Sequence, residues 1–309
     1  MANIKFSIII PTYNYAHFLP RVLDSILGQQ GDDYDVTIID DGSTDDSETV
    51  VQPFLQQHQG KLNYIYQENR GPSAARNRGV AETKGQYLIF VDADDRLLES
   101  ALAVFRTYLA ACPETDMVFG AYYSVYESGK KKLRESPILS SSNFINFRKY
   151  IRGKFVISNG SMVIRRSIFD QLQYPESARN NEHYVMDGQM LALFRCATVP
   201  EPVLEVYTHD SRLRQDIKSI EQAGLSVVDL LFNRALLPEE FMSLRKVFLS
   251  RLLLSRFRSY FQAGLYGQAN DLYIQAIKAR PMNIFRLSYL RKYLKSCWLY
   301  FSKGQQVKD

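Results

Sequence analysis

The chain has 309 residues, with 38 Lys+Arg against 33 Asp+Glu and a formal net charge of +5. Apolar residues at 46%, aromatics at 13% and charged residues at 23% exclude wholesale disorder. Cys112, Cys196 and Cys297 are too few and too far apart for a disulfide framework or a zinc site, which points to a reducing compartment.

The first hundred residues alternate strand and helix. Phe6–Ile10 reads as a buried strand stopped by Pro11. Phe18, Val22, Leu23, Ile26 and Leu27 follow helical spacing. Val36–Ile39 is a second strand, ending at Asp40-Asp41-Gly42-Ser43. Val50, Val51, Phe54 and Leu55 mark a second helix. Leu62–Tyr66 is a third strand, Ser73–Glu82 a helix, and Tyr87–Val91 a fourth strand ending at Asp92. Three β-α-β crossovers predict an α/β fold, a mostly parallel sheet flanked by helices.

Further on, Leu97–Ala111 reads as helix, Met117–Tyr126 as extended and Gly129–Pro137 as a charged turn region. Ser161–Ile164 is a short strand, Met186–Phe194 a helix and Val203–Tyr207 extended. From about residue 213 the pattern is helical. The expected division is 1–212, an α/β catalytic domain, and 213–309, a basic α-helical region. Residues 1–212 hold 22 Lys+Arg and 26 Asp+Glu, a net of −4, whereas 213–309 hold 16 and 7, a net of +9. Phe261, Ala263, Gly264, Ala269, Ala276 and Pro281 suggest one helical hairpin, too little for a solenoid.

In open α/β sheets ligands bind outside the carboxyl ends of the strands. All four strands deliver polar groups there: Pro11-Thr12-Tyr13-Asn14, Asp40-Asp41-Gly42-Ser43-Thr44-Asp45, Glu68-Asn69-Arg70-Gly71 with Arg76-Asn77, and Asp92-Ala93-Asp94-Asp95. Asp92 and Asp94 suit a shared hard cation, Mn2+ or Mg2+, which takes carboxylates together with phosphate oxygens. A carboxylate at Asp40 or Asp41 can accept from a base N–H or a ribose hydroxyl. Ser43, Thr44 or Asp45 can equally cap the next helix. Arg70, Arg76 and Arg78 lie near the same edge and could face phosphates. Neither a Gly-x-Gly-x-x-Gly nor a Gly-x-x-x-x-Gly-Lys-Ser/Thr sequence follows the first strand, which excludes dinucleotide-fold and P-loop readings.

Together, Pro11-Thr-Tyr-Asn14, Ile39-Asp-Asp-Gly-Ser-Thr-Asp45, Gly71-Pro-Ser-Ala-Ala-Arg-Asn77 and Phe90-Val-Asp-Ala-Asp-Asp95 resemble the family 2 glycosyltransferases with the glycosyltransferase A type fold. The resemblance is strong over residues 5 to about 115 and weaker over 160 to 212. It implies a nucleotide-sugar donor, usually UDP-linked, and inversion in one displacement. Pro11, Thr12, Tyr13, Asn14, Asp40 and Asp41 would line the base pocket. Arg70 and Arg76 would lie near the phosphates. Asp92, Ala93 and Asp94 would meet the ribose and a divalent metal, with His209 as a further metal ligand or a solvated loop residue. The catalytic base falls to Asp187 or Glu182, because the family's adjacent Glu-Asp pair is displaced here; Asp187 fits the spacing to the next strand better. The implied acceptor is a glycan or lipid-linked hydroxyl in surface-polysaccharide synthesis. A catalytically inactive nucleotide-sugar-binding or scaffold protein of the same fold is the alternative.

No secretory signal pattern precedes the first strand, and runs such as Tyr87–Val91 and Cys297–Phe301 are too short to span a bilayer. A cytoplasmic protein is expected. Ile284 to Phe301 mixes aromatics and Leu with Arg286, Arg291, Lys292 and Lys295. That pattern suits either a helix on an anionic membrane surface, at the inner face of the plasma membrane, or a packed helix with a solvated basic face. No nucleic-acid-binding module accompanies the charge, so no nucleic-acid partner is expected.

Overall fold

A computed structural model describes residues 5–178, 181–208 and 224–305, the last three without side-chain detail. The strands are β1 (Phe6–Thr12), β2 (Tyr34–Asp40), β3 (Leu62–Tyr66), β4 (Tyr87–Phe90), β5 (Arg96–Leu97), β6 (Met117–Val125), β7 (Lys131–Arg134), β8 (Met162–Arg165) and β9 (Cys196–Tyr207). They form one sheet in the order β3-β2-β1-β4-β8-β6-β9-β5, with β7 paired to β6. β1, β2, β3 and β4 run parallel, as do β6 and β9. β8 runs antiparallel to β4 and β6.

The helices between the first strands are α1 (Leu19–Leu27), α2 (Ser47–Gln57) and α3 (Pro72–Glu82). After them come α4 (Ala101–Ala111), α5 (Asn143–Ile151) and α6 (Glu182–Leu193). Strand alternation splits the core. Ile8, Ile10, Ile89 and Val91 pack on the α1 and α4 face, while Ile9, Leu88 and Phe90 pack on the α3, α5 and α6 face. α3 lies so close to β1 that a Cβ on Gly79 would fall 2.3 Å from Ile9 Cγ2.

Several elements differ from the sequence expectation: β9 starts at Cys196 rather than Val203, and the short β5 precedes α4, which starts at Ala101 rather than Leu97. Residues 131–134, read as a turn, pair with β6 as an edge strand. α5 was not expected, since its Phe, Tyr and Ile residues are indifferent helix formers. It forms because Ser142 caps it, accepting from Ile145 N at 3.4 Å, and because Asn146 and the Ser140 backbone exchange two hydrogen bonds at 2.8 Å. α6 begins at Glu182 rather than Met186, so both candidate bases lie on one helix.

The C-terminal helices are α7 (Ser226–Leu231), α8 (Glu239–Met242), α9 (Arg245–Gln262), α10 (Tyr266–Ala279) and α11 (Leu287–Gln305). They divide between two cores. Val227, Leu231, Phe241 and Phe248 join the core beneath α5 and α6. Leu253, Phe257, Tyr273 and Ala276 form a separate small core with Tyr289 and Tyr293 of α11. The helical hairpin expected around Phe261–Pro281 is the α9–α10 pair. No described helix is long and apolar enough to cross a membrane.

Candidate functional site

The chain turns from β1 toward β2 and β3 on one side and reaches β4 on the other. That is a topological switch point, where α/β sheets leave a crevice at the strand ends. Register places Thr12 beside Asp40 and Asp40 beside Tyr66, with Ile9 opposite Phe90 just before the Asp92 turn.

The first two motifs lock each other. Asn14, in the left-handed region at φ 54°, donates its N–H to Ser43 Oγ at 2.9 Å. Its side-chain oxygen accepts from Thr44 N at 2.8 Å. Asp45 accepts from Ala16 N at 3.0 Å and from Ser47 N at 3.1 Å, an Asx turn that leads into α2, while the N-cap position itself falls on Asp46 without a side-chain hydrogen bond. Asp40 accepts from Ser43 N at 2.7 Å and from the Tyr64 hydroxyl. Gly42 sits at φ +84°, which side-chain-bearing residues rarely adopt, and a Cβ there would also meet Asn69 N at 2.8 Å.

Asp41 is buried and holds the loop after β3. One of its oxygens accepts from Gln67 Nε2 at 2.7 Å and Arg70 N at 2.9 Å, and the other from Gly71 N at 2.7 Å. Arg70 turns outward to Glu176 at 2.9 Å, in an exposed pair. Arg78 pairs with Glu82 along the surface of α3 and does not reach the strand ends. Tyr13 stands half-exposed beside the turn.

α3 supplies the central charge. Arg76, only 5% exposed, donates Nη2 to Asp92 at 2.9 Å and Nη1 to Glu182 at 3.0 Å. Burial works against its charge, but the two carboxylates outweigh that and keep the guanidinium protonated. The same helix clamps the segment before α6. Asn77 exchanges hydrogen bonds of 2.9 Å with both backbone groups of Tyr174, and Ser73 donates to the Pro175 carbonyl at 3.1 Å. The Tyr174 ring lies 5.4 Å from the Arg76 guanidinium.

Glu182 and Asp187 are five residues apart on α6, hence roughly 140° apart around its axis, and find different partners. Glu182 opens the helix, where the dipole favours a carboxylate, and meets Arg76. Asp187 lies in the second turn, 1% exposed, and accepts from the Tyr150 hydroxyl at 3.1 Å. Burial pushes its pKa up to about 8, with Tyr150 and Arg76 offsetting only part of that effect.

Asp94 is buried and Asp92 partly exposed at the turn after β4, with buried Ala93 between them. Arg21 of α1 donates to the Asp94 carbonyl and stacks 3.8 Å from the Tyr207 ring centroid. Asp95 Oδ1 accepts from Tyr207 N at 3.2 Å, which joins the β4 turn to the end of β9. His209, the proposed further metal ligand, lies outside the described residues. Among those residues no group of three or more His, Cys, Asp or Glu gathers as a metal cage.

Eight buried side-chain polar atoms among the described residues lack a hydrogen-bond partner. Six belong to Thr12, Arg21, Arg76, Tyr174, Glu182 and Asp187, all around this crevice. Arg21, Tyr150, Tyr174 and Tyr207 had no sequence signal beyond type, because their positions depend on elements far apart in the chain.

The sequence profile of "Glycosyl transferase family 2" matches residues 7–173. The chain is 29% identical over 180 residues to the GalNAc(5)-diNAcBac-PP-undecaprenol beta-1,3-glucosyltransferase of Campylobacter jejuni, covering 58% of this chain and 57% of that one. The leading curated relatives are matched over a third or less of their own length. The crystal structure of S. aureus TarS 1–349 with UDP superposes with a TM-score of 0.63 at 18% identity, covering 97% of this chain and 92% of that one. The mannosyltransferase PcManGT of Pyrobaculum calidifontis, in complex with GDP-Man and Mn2+, superposes with a TM-score of 0.56 at 18% identity, covering 98% and 87%. These structural likenesses show the fold.

Proposed function

The chain belongs to the family 2 glycosyltransferases, and from that premise we propose that it transfers a sugar from a UDP-linked donor to a hydroxyl of a glycan or lipid-linked acceptor in surface-polysaccharide synthesis. The observation that carries this reading is the convergence of Asp40, Asp41, Arg76, Asp92 and Asp94 at the ends of β1, β2 and β4, the crevice where an α/β sheet takes its ligand. The TarS structure with UDP and the Campylobacter transferase, named for a polyprenyl-linked acceptor, support the substrate class.

Thr12, Tyr13, Asn14 and Asp41 would form the base pocket, with Pro11 ending the strand beneath and Asp40 holding its turn. Arg76 would position Asp92 and Glu182 beside the diphosphate, whereas Arg70, turned outward to Glu176, would reach it only by leaving that pair. Asp92, Ala93 and Asp94 would meet the ribose. The residues fit a divalent cation: two carboxylates at one strand end supply hard oxygen ligands, a donor diphosphate supplies more, and His209 would add one. PcManGT, with its Mn2+ and GDP-Man, supports that assignment. Bound there, Mn2+ or Mg2+ supplies charge neutralisation of the leaving diphosphate.

In the inverting reading the acceptor oxygen attacks the anomeric carbon opposite the diphosphate, the bond to the diphosphate breaks, and the acceptor proton passes to a carboxylate. We assign that base to Asp187. Each carboxylate keeps one oxygen without a donor and commits the other, Glu182 to the Arg76 guanidinium and Asp187 to the neutral Tyr150 hydroxyl; burial raises the Asp187 pKa to about 8, near the range that suits a general base. A lipid-linked acceptor would place the enzyme at the cytoplasmic face of the plasma membrane.

A thermal-shift screen of UDP-, GDP- and dTDP-sugars with manganese tests the donor class, since binding stabilises by mass action. A shift with UDP-sugars and slow hydrolysis of the donor are expected. A shift without any turnover, with or without acceptor glycans, would favour the scaffold reading.

A further inference from the structure

A second charged region lies away from the strand ends. A cavity of about 240 Å³ is lined by Arg152, Lys154, Arg251, Arg280 and Arg286. No carboxylate lines it, and among the described residues none of the five cations forms an ion pair with Asp or Glu. The cavity is built rather than incidental. Arg251 donates Nη1 to the Tyr150 and Ile151 carbonyls at 3.1 Å each, which fixes it against the end of α5. Asn283, 4% exposed, donates to Ser250 Oγ, and Ser250 donates to the Ala276 carbonyl at 2.9 Å. Arg152, Lys154 and Arg286 are exposed and Arg251 and Arg280 half-buried, so the five cations around this cavity give the surface a positive field that an anion placed among them neutralises.

The rim of the cavity is apolar. Arg280 and Arg286 bracket the turn that carries Met282, 65% exposed, and Phe285, 72% exposed. α11 continues the surface. Leu287, Leu294, Trp298 and Phe301 recur at helical spacing with exposures of 62%, 59%, 68% and 71%. Arg291 and Lys295 flank them. The inner side of α11 is occupied, since Tyr293 stacks on Tyr273 at 4.4 Å and Tyr300 abuts Gly267.

A free anion accounts for the cavity but not for the ridge. A second copy of the chain accounts for the ridge but not for the uncompensated cations. A molecule with an anionic head and an apolar tail accounts for both. We propose that the cavity holds the phosphate headgroup of an anionic membrane lipid, while Met282, Phe285 and the outer ridge of α11 enter the acyl boundary of the same leaflet. The proposal rests on the membrane placement given above and on none of the transfer chemistry.

Co-sedimentation of the full chain with phosphatidylcholine vesicles, with and without phosphatidylglycerol, tests it. Donor-free samples keep the result independent of activity, and donor hydrolysis without vesicles is measured separately. The wild type is expected to pellet with the anionic vesicles and weakly with the neutral ones. Arg280→Gln with Arg286→Gln should weaken anionic binding roughly tenfold or more. Phe285→Ser with Trp298→Ser should release the protein from both vesicle types, with circular dichroism unchanged, since these side chains are exposed. Equal pelleting with both vesicle types overturns the proposal, as does unchanged binding by the Arg280/Arg286 variant. A thermal shift with inorganic phosphate, without any vesicle preference, would make the cavity a site for a free anion instead. A concentration-dependent dimer abolished by Phe285→Ser with Trp298→Ser, in a protein that ignores vesicles, would assign the ridge to a second copy.

Discussion

The crevice at the strand ends and the cavity beside α11 both concentrate charge, and they settle it in opposite ways. In the crevice Arg76 lies between Asp92 and Glu182, nearly excluded from water, and its charge is more than matched within the fold. In the cavity the five cations face one space without an acid. Paired charges hold a geometry before any ligand arrives, which suits chemistry that depends on position. Unpaired charges act as a field, which suits capture of an anion on a surface. An acidic crevice also repels a bare diphosphate, which is the reason for the metal proposed at Asp92 and Asp94.

The comparison breaks most completely at Arg76. Arg76→Ala leaves Glu182 buried and unpaired and frees Asp92, so a loss of about 3–5 kcal/mol is expected, read by urea unfolding, together with loss of transfer. A variant as stable as the wild type would mean that the ion-pair triad is not a structural centre. Next in size is Asp94→Asn. Turnover of a UDP-sugar with manganese should fall roughly 10²- to 10³-fold, while the melting profile stays cooperative. Undiminished turnover would remove the metal assignment.

Asp187 sharpens the comparison through pH. Its pKa of about 8 in the fold lies above the unfolded value of about 3.9. The protonated carboxyl therefore contributes stability that is fully present below about pH 4 and is lost as pH rises through about 8. Asp187→Asn should flatten that part of the melting-temperature profile and leave the variant more stable than wild type at pH 9. It should also remove transfer while donor binding survives. If Glu182→Gln removes transfer and Asp187→Asn does not, the base is Glu182. The smallest effect belongs to the ridge: Trp298→Ser with Phe301→Ser should change stability by no more than about 0.5 kcal/mol per site, since neither side chain is buried. A larger loss would show that the ridge is covered within the folded chain.

Much of the fold was legible because its signals are local. The β1–β4 runs, the turns that end them and the helices between them are fixed by period and by turn residues, and the order of the first four strands obeys the rule for parallel crossovers. The strand-end residues Thr12, Asp41 and Asp92 were found the same way. α5 was not, because a capping serine and an asparagine clamp outweigh weak propensity there. The edge strand at residues 131–134 was missed because charged side chains conceal an edge that pairs on one side only.

What the sequence by itself determined is the family and the strand ends that carry its motifs, since each motif is a short segment whose geometry follows from its own residues. Only the tertiary structure decided that Arg76 joins Asp92 to Glu182, that Asp187 is sealed against Tyr150, and that five cations from α5, α9 and the α11 turn share one cavity. The physical reason is common to all three. Burial and pairing depend on which surfaces meet, and those surfaces come from elements separated by up to about a hundred residues along the chain.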